Sequence, residues 1–460
     1  MPLRTTRRTT KAVLALVLAV VVVGASVALV VRLTGDDGDD DLSATPTTSA
    51  APPGTSTGTP ETTAVGSVNS DLSPEQARTV DELKAQVTEI RGLEWKTDLP
   101  IRIVSPDELD RRVRDLTAIE REKNLDDVAA VETVLKLLQL IPADLDYTDA
   151  IDKLLEGGVL GFYDDEAREL FVGGDPDDDL SVAARSTMVH ELTHALTDQH
   201  FDFGARDRAL SEQDLAEESY ALGALLEGDA EMVRTLWEDE HLTARQRAEA
   251  AAGEGADPSV YLETPGYILD SLFFPYISGF EFVSALHDEG GFAAVDAAHR
   301  QPPSSTEEIL HPDLYVAGRQ WERPPLPDLA AATGCTAVDT STIGEFDMTA
   351  VLDEHLPEAE AKKAAAGWNG DAYLLVRCGD AVGMVDRWRA DTSTDLTELA
   401  DSLGRWARRW SGTDRLPEAD GRFSGPSGSG RIIRTADRVD LIIADDASTS
   451  DRLAAAVLAA

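Results

Sequence analysis

From Thr187 to Leu196 the chain reads TMVHELTHAL, and His190, Glu191 and His194 are the only residues in that stretch that can ionise. Met188, Val189, Leu192 and Leu196 make the segment too apolar to lie in water, so it is expected to be buried and to bury the three polar residues with it. Asp177, Asp178 and Asp179, followed by Ser181, supply the acidic and capping groups of a helix start, and a helix is predicted from there to about His200. On a helix, residues four apart are rotated by only about 40° and separated by about 6 Å. His190 and His194 therefore present neighbouring imidazoles to one point, with Glu191 one step round the helix.

This is the HExxH pattern, in which two histidines on one helical face hold zinc and the glutamate acts as general base. A catalytic zinc needs a third protein ligand and keeps one position for water. Two residues compete for the role. His200 lies six residues after His194, where the longer HExxHxxGxxH arrangement places its third histidine, but Thr197 stands in place of the glycine. If the helix continues, His200 points about 120° away and lies about 9 Å further along. Glu227, in Glu227-Gly228-Asp229-Ala230-Glu231, offers a carboxylate from a second helix over roughly residues 212–237. Ala221, Gly223, Ala224, Gly228 and Ala230 on that helix are expected to let it lie close against the HExxH helix. Glu227 is thus the expected ligand. Glu231, one turn on, is placed to accept a hydrogen bond from the free nitrogen of a zinc histidine, unless it is simply a solvated helix charge.

Residues 12–31, AVLALVLAVVVVGASVALVV, carry no charge, and twenty helical residues span about 30 Å, one hydrocarbon core. Arg4, Arg7, Arg8 and Lys11 precede the run, and Asp36, Asp37, Asp39, Asp40 and Asp41 follow it. The positive-inside bias then makes 1–11 a cytoplasmic tail and 12–32 a single-pass signal anchor in the cell membrane, with the rest of the chain extracellular. Cleavage after Ser26-Val27-Ala28 is the alternative, although the apolar run continues past it. Residues 33–72, rich in Asp, Thr, Ser, Pro and Gly, read as a flexible spacer. Cys335 and Cys378 fall on the outer side, where disulfides persist, and are expected to pair. The net charge of −44 excludes a nucleic-acid partner held by phosphate neutralisation.

Two units are expected beyond the spacer. The first, 73–330, opens with helix-start chemistry at Ser73-Pro74-Glu75-Gln76 and again at Ser105-Pro106-Asp107-Glu108, on either side of a strand at 101–104. GVLGFYDDEARELFV, residues 158–172, reads as a β-hairpin just before the HExxH helix. A further possibility is that the helices of 73–150 act as an inhibitory segment. The second unit, 331–460, alternates short apolar runs with helical stretches around the two cysteines and ends in an alanine-rich helix. The fold class is α+β: a mainly helical unit with a small sheet, then a smaller α+β subdomain.

The HELTH string followed by a helix-borne Glu227 resembles the gluzincin metallopeptidases. GFYDDEARELFV, VHELTHALTDQHF, LLEGDAEM, FFPYISG and STEEILHPDLY together resemble uncharacterised bacterial HExxH proteins over about residues 100–320. The gluzincin resemblance implies a zincin-like fold, zinc on His190, His194 and Glu227, and Glu191 as general base. The expected activity is hydrolysis of a peptide or protein substrate by zinc-activated water. Tyr276, His311 and Tyr315 are candidates to stabilise the oxyanion, with His311 favoured. The hairpin is a candidate to bind extended substrate by strand addition. The alternative is a catalytically idle zincin used as a cell-surface scaffold, which the presence of Glu191 argues against.

Overall fold

The computed structural model describes residue 69 and residues 72–251 and 258–460. The apolar run 12–31 lies outside these residues, and no described helix is long and apolar enough to cross a membrane. Helix α1 (Pro74–Arg91) starts at the capping box of Ser73 and Gln76 that the sequence announces. Gln76 also donates at 2.9 Å to the carbonyls of Pro176 and Asp178, tying α1 to the loop that leads into the HExxH helix. Strand β1 (Ile101–Val104) and helices α2 (Pro106–Lys123), α3 (Leu125–Leu138) and α4 (Tyr147–Leu155) follow. The hairpin is β2 (Gly161–Asp164) and β3 (Glu169–Gly173), and β1 joins it parallel to β3. The order β1-β3-β2 leaves β2 as an edge.

Helix α5 (Val182–Phe201) carries HELTH and is capped by Ser181, whose hydroxyl accepts from the Ala184 N–H. Then come α6 (Phe203–Glu212), α7 (Ala216–His241), α8 (Ala244–Ala251), α9 (Pro258–Glu263), α10 (Gly266–Gly290), α11 (Phe292–Arg300), α12 (Thr306–Leu310) and α13 (Pro312–Val316). The HExxH helix ends without the glycine of the longer motif: Asp202 takes the left-handed conformation itself, with φ 51°. Val80, Leu83 and Val87 of α1, Ile101 and Ile103 of β1, and Met188, Val189 and Leu192 of α5 share one apolar cluster. Residues 74–104 therefore pack as part of the unit that holds HELTH.

Two of the small residues of α7 do a different job from the one expected. Gly228 and Ala224 face Gly279 of α10, not α5: an added β-carbon on Gly228 would stand 2.1 Å from the Gly279 carbonyl oxygen. An α-helix presents several faces, and composition alone does not say which neighbour meets the small one.

The second unit comprises α14 (Leu329–Thr333), β4 (Thr336–Ser341), α15 (Gly344–Asp353), α16 (Glu358–Ala365), β5 (Trp368–Cys378), β6 (Ala381–Ala390), α17 (Ser393–Trp410), β7 (Arg422–Gly425), β8 (Gly428–Arg434), β9 (Val439–Ala444) and α18 (Ala447–Ala459). Its strands form one antiparallel sheet in the order β4-β5-β6-β9-β8-β7. Cys335, just before β4, is bonded to Cys378 at the end of β5, with a Cα–Cα separation of 4.5 Å. The two units share a core: Leu138, Tyr267 and Leu272 from the first pack in one cluster with Trp368, Leu375 and Trp406 from the second. The mixed α+β class expected from sequence is thus observed.

Candidate metal centre

Two helices build the centre. Along α5 every side chain from Ser186 to Asp198 is buried, and α7 lies against it with Glu227 and Glu231 facing inwards. His190 Nε2 stands 3.0 Å from His194 Nε2 and 3.0 Å from Glu227 Oε2, and His194 Nε2 is 3.4 Å from the same oxygen. Of all His, Cys, Asp and Glu among the described residues, His190, His194 and Glu227 form the group able to converge on one ion.

Two features of this geometry fit a bound cation. Two imidazole nitrogens and a carboxylate oxygen, drawn together in a buried space, leave lone pairs facing one another, an arrangement that a cation at their centre would satisfy. Metal–ligand bonds of 2.0–2.1 Å in a tetrahedron put ligand atoms about 3.3 Å apart, close to the 3.0, 3.0 and 3.4 Å found. A calcium-like ion with longer bonds needs a wider and more oxygen-rich set.

The electrostatics follow from burial against pairing. Burial opposes charge on His190, but its pairing with the Glu227 and Glu231 carboxylates outweighs it and raises the imidazole to about 10 without metal. Burial likewise works against an ionised Glu227, yet the neighbouring imidazoles hold its carboxyl below the usual carboxylate range. On the other side of the ring, Glu231 Oε1 lies 3.1 Å from His190 Nδ1, within ion-pair reach though off the line of an ideal hydrogen bond. Burial would raise Glu231 too, but Arg234 and His190 bring it down to about 2.

Glu191 is buried beside the ligands, and its Oε1 has no hydrogen-bond partner. Burial pushes its pKa above the ordinary value, against the pull of His190, His194 and the backbone of Tyr163 on β2. The edge strand is pinned to α5 as well, since the Tyr163 hydroxyl donates to Asp198 at 3.0 Å. Phe203, at the start of α6, sets its ring edge-on to His194.

The three oxyanion candidates separate clearly. Tyr276 of α10 stacks on His190 with ring centroids 6.2 Å apart, and its buried hydroxyl forms no well-aligned hydrogen bond. Burial, then Glu227, Glu191 and Glu231, hold that phenol well above its ordinary pKa. His311 is engaged elsewhere, 2.9 Å from Glu345 of α15, and shares no hydrogen bond, ion pair or ring contact with the triad. The Tyr315 hydroxyl donates to the Gln301 carbonyl. His200 turns away, its Nε2 2.8 Å from the Glu94 carbonyl oxygen. Tyr276 is therefore the candidate that the fold brings to the centre, through a packing of α7 on α10 that no local pattern reveals. Arg234, three residues after Glu231, was legible as a helical pair but not as part of a site.

A family described as a domain of unknown function, DUF8575, matches residues 332–454. The match runs from the end of α14 into α18 and includes none of the triad. No curated protein and no solved structure matches the chain.

Proposed function

We propose that this chain is a membrane-anchored, extracellular zinc metallopeptidase of the gluzincin type. The observation that carries the reading is the convergence of His190, His194 and Glu227 around one point, with the Glu191 carboxylate beside it and one of its oxygens, Oε1, without a hydrogen-bond partner. Two imidazoles and one carboxylate are a donor set suited to zinc. Zinc bound there supplies a water of lowered pKa and polarises a substrate carbonyl. Glu191 accepts the water's proton and returns it to the leaving amine, a task suited to a carboxyl whose pKa is raised by burial. Tyr276, whose ring stacks on His190 and whose hydroxyl forms no well-aligned hydrogen bond, donates to the oxyanion as it develops. Strand β2, an edge tied to α5 through Tyr163, offers backbone groups to an extended peptide. The uncharged run 12–31 and the cystine in the second unit favour an anchored protein facing outwards.

An idle scaffold with a zincin-type centre is the second reading, and it has no use for a buried Glu191 whose Oε1 has no hydrogen-bond partner. Metal analysis of the full-length chain in detergent, combined with cleavage of a peptide library by wild type and by Glu191→Gln, separates the two. Stoichiometric zinc together with cleavage that fails in Glu191→Gln is the expected result. Zinc without Glu191-dependent cleavage favours the scaffold, and a chain that takes up no divalent ion defeats both. Glu227→Ala should lose the metal, and His200→Ala should keep it.

A further inference from the structure

The polar network behind His190 does not stop at Glu231. Arg234 lies one turn further along α7, and its Nε stands 3.1 and 3.2 Å from the two oxygens of Glu231, with Nη2 closer still to Oε2. Nη1 of the same guanidinium reaches Glu238 at 2.8 Å. Glu238 in turn accepts a hydrogen bond from the Ser186 hydroxyl of α5. The path from His190 through Glu231, Arg234 and Glu238 to Ser186 leaves α5, runs along α7, and returns to α5 one helical turn before it began.

An arginine between two glutamates on a helix is commonly a surface pair of small effect. Three observations set this one apart. Its carboxylates are largely covered, with side-chain exposures of 9% for Glu231 and 15% for Glu238. Glu191, Glu227 and Glu231 crowd around the centre, and Arg234 is the only lysine or arginine paired with any of them among the described residues. Finally, His190 has a carboxylate at each nitrogen, Glu227 at Nε2 and Glu231 at Nδ1. Which way the ring faces depends on where the Glu231 carboxylate is held, and the planar fork of arginine fixes a carboxylate in a way that a point charge does not.

We infer that Arg234 is a positioning residue of the metal centre: braced by Glu238 and Ser186, it locks the Glu231 carboxylate against His190 Nδ1 and so aims Nε2 at the ion. The inference rests on the proposed metal binding. The test uses the full-length chain with cobalt(II) in place of zinc, reading affinity by chelator competition and coordination geometry by the visible absorption band. Arg234→Met should weaken cobalt binding about 10- to 100-fold and change the band. Arg234→Lys, which keeps the charge but loses the fork, should regain part of the affinity with the band still altered. Glu238→Gln should fall between wild type and Arg234→Met. If Arg234→Met lowers only the melting temperature, and its folded fraction binds cobalt with wild-type affinity and spectrum, the residue is merely structural and the inference is overturned. If the wild-type chain binds no divalent ion, the metal reading itself falls and takes the inference with it.

Discussion

Gly228 of α7 and Gly279 of α10 meet with no side chain between them. A β-carbon on Gly279 would stand 2.0 Å from the Ala224 carbonyl oxygen, as one on Gly228 would crowd Gly279. Tyr276 lies one turn before Gly279, and Glu227 directly precedes Gly228, so this contact sets how closely the phenol approaches the ligand. Gly279→Ala or Gly228→Ala must push the helices apart, at a cost of about 1–3 kcal/mol, and should slow peptide cleavage. Gly404 on α17 has open space where its β-carbon would go, so Gly404→Ala is the matched control and should be neutral or slightly stabilising. Thermal denaturation of the three variants side by side checks the difference.

Tyr276→Phe removes one hydroxyl and leaves the ring that packs on His190. With the oxyanion donor gone, kcat should fall by about 10²- to 10³-fold, while KM and metal content stay close to wild type. His311→Ala, which disturbs only a pair with Glu345, should leave kcat within a few-fold. Steady-state kinetics on one peptide substrate distinguish the two, and the reverse ranking would return the role to His311.

Asp347 accepts a hydrogen bond from the Tyr267 hydroxyl at 3.0 Å. Burial raises its pKa to about 7 despite that bond, with Asp371 adding to the rise. In the unfolded chain the same carboxyl titrates near about 3.9. Between these values the folded state keeps a proton that the unfolded state has lost, so this group's contribution to stability is full at low pH and declines as pH rises towards 7. The slope is at most about 1.4 kcal/mol per pH unit. Glu231, held at about 2, acts with the opposite sign: its contribution is full above about 4.3 and is lost as pH falls from there through the folded value. Denaturant unfolding between pH 4.5 and 6.5, an interval of about 2 units within that window, should therefore give Asp347→Asn a flatter dependence than wild type. Parallel curves would remove Asp347 from the account.

The cystine joins residues 43 apart in sequence. Closing a loop of that length is worth about 4 kcal/mol in the chain-entropy treatment. Reduction, or replacement of both cysteines by serine, should lower the denaturation midpoint by a corresponding amount and leave the metal content unchanged, since neither sulfur touches α5 or α7. A midpoint insensitive to reductant would indicate that the β4–β5 pairing suffices.

What the sequence made legible was local. Capping by Ser73 and Gln76, the hairpin at 161–173 and the helix of HELTH are all written in a few neighbouring residues. The choice between His200 and Glu227 was legible too, because helical rotation alone turns His200 away. Tyr276 was one of three candidate donors and His311 the one favoured, and the Gly228–Gly279 contact, 51 residues apart in sequence, is what brings Tyr276 forward instead. Helix α6 was hidden for a different reason: Gly204 is its only fully buried residue, so no apolar period marks it. The direction in which the small residues of α7 face depends on α10, and no pattern within α7 encodes that.

The end of α3 and the end of α17 hold each other. Gln139 donates to the Trp410 carbonyl at 2.9 Å, and the Trp410 indole donates to the Leu137 carbonyl at 2.8 Å. This clasp sits within apolar packing that both units share, with Leu138 and Trp406 in the same cluster. Neither unit can melt without stripping the other of its partners, so heating should produce a single calorimetric transition for the folded part of the chain. The six-stranded sheet would then act as ballast for the helices that carry the metal ligands, and any partner that grips it would stiffen or loosen the centre from a distance.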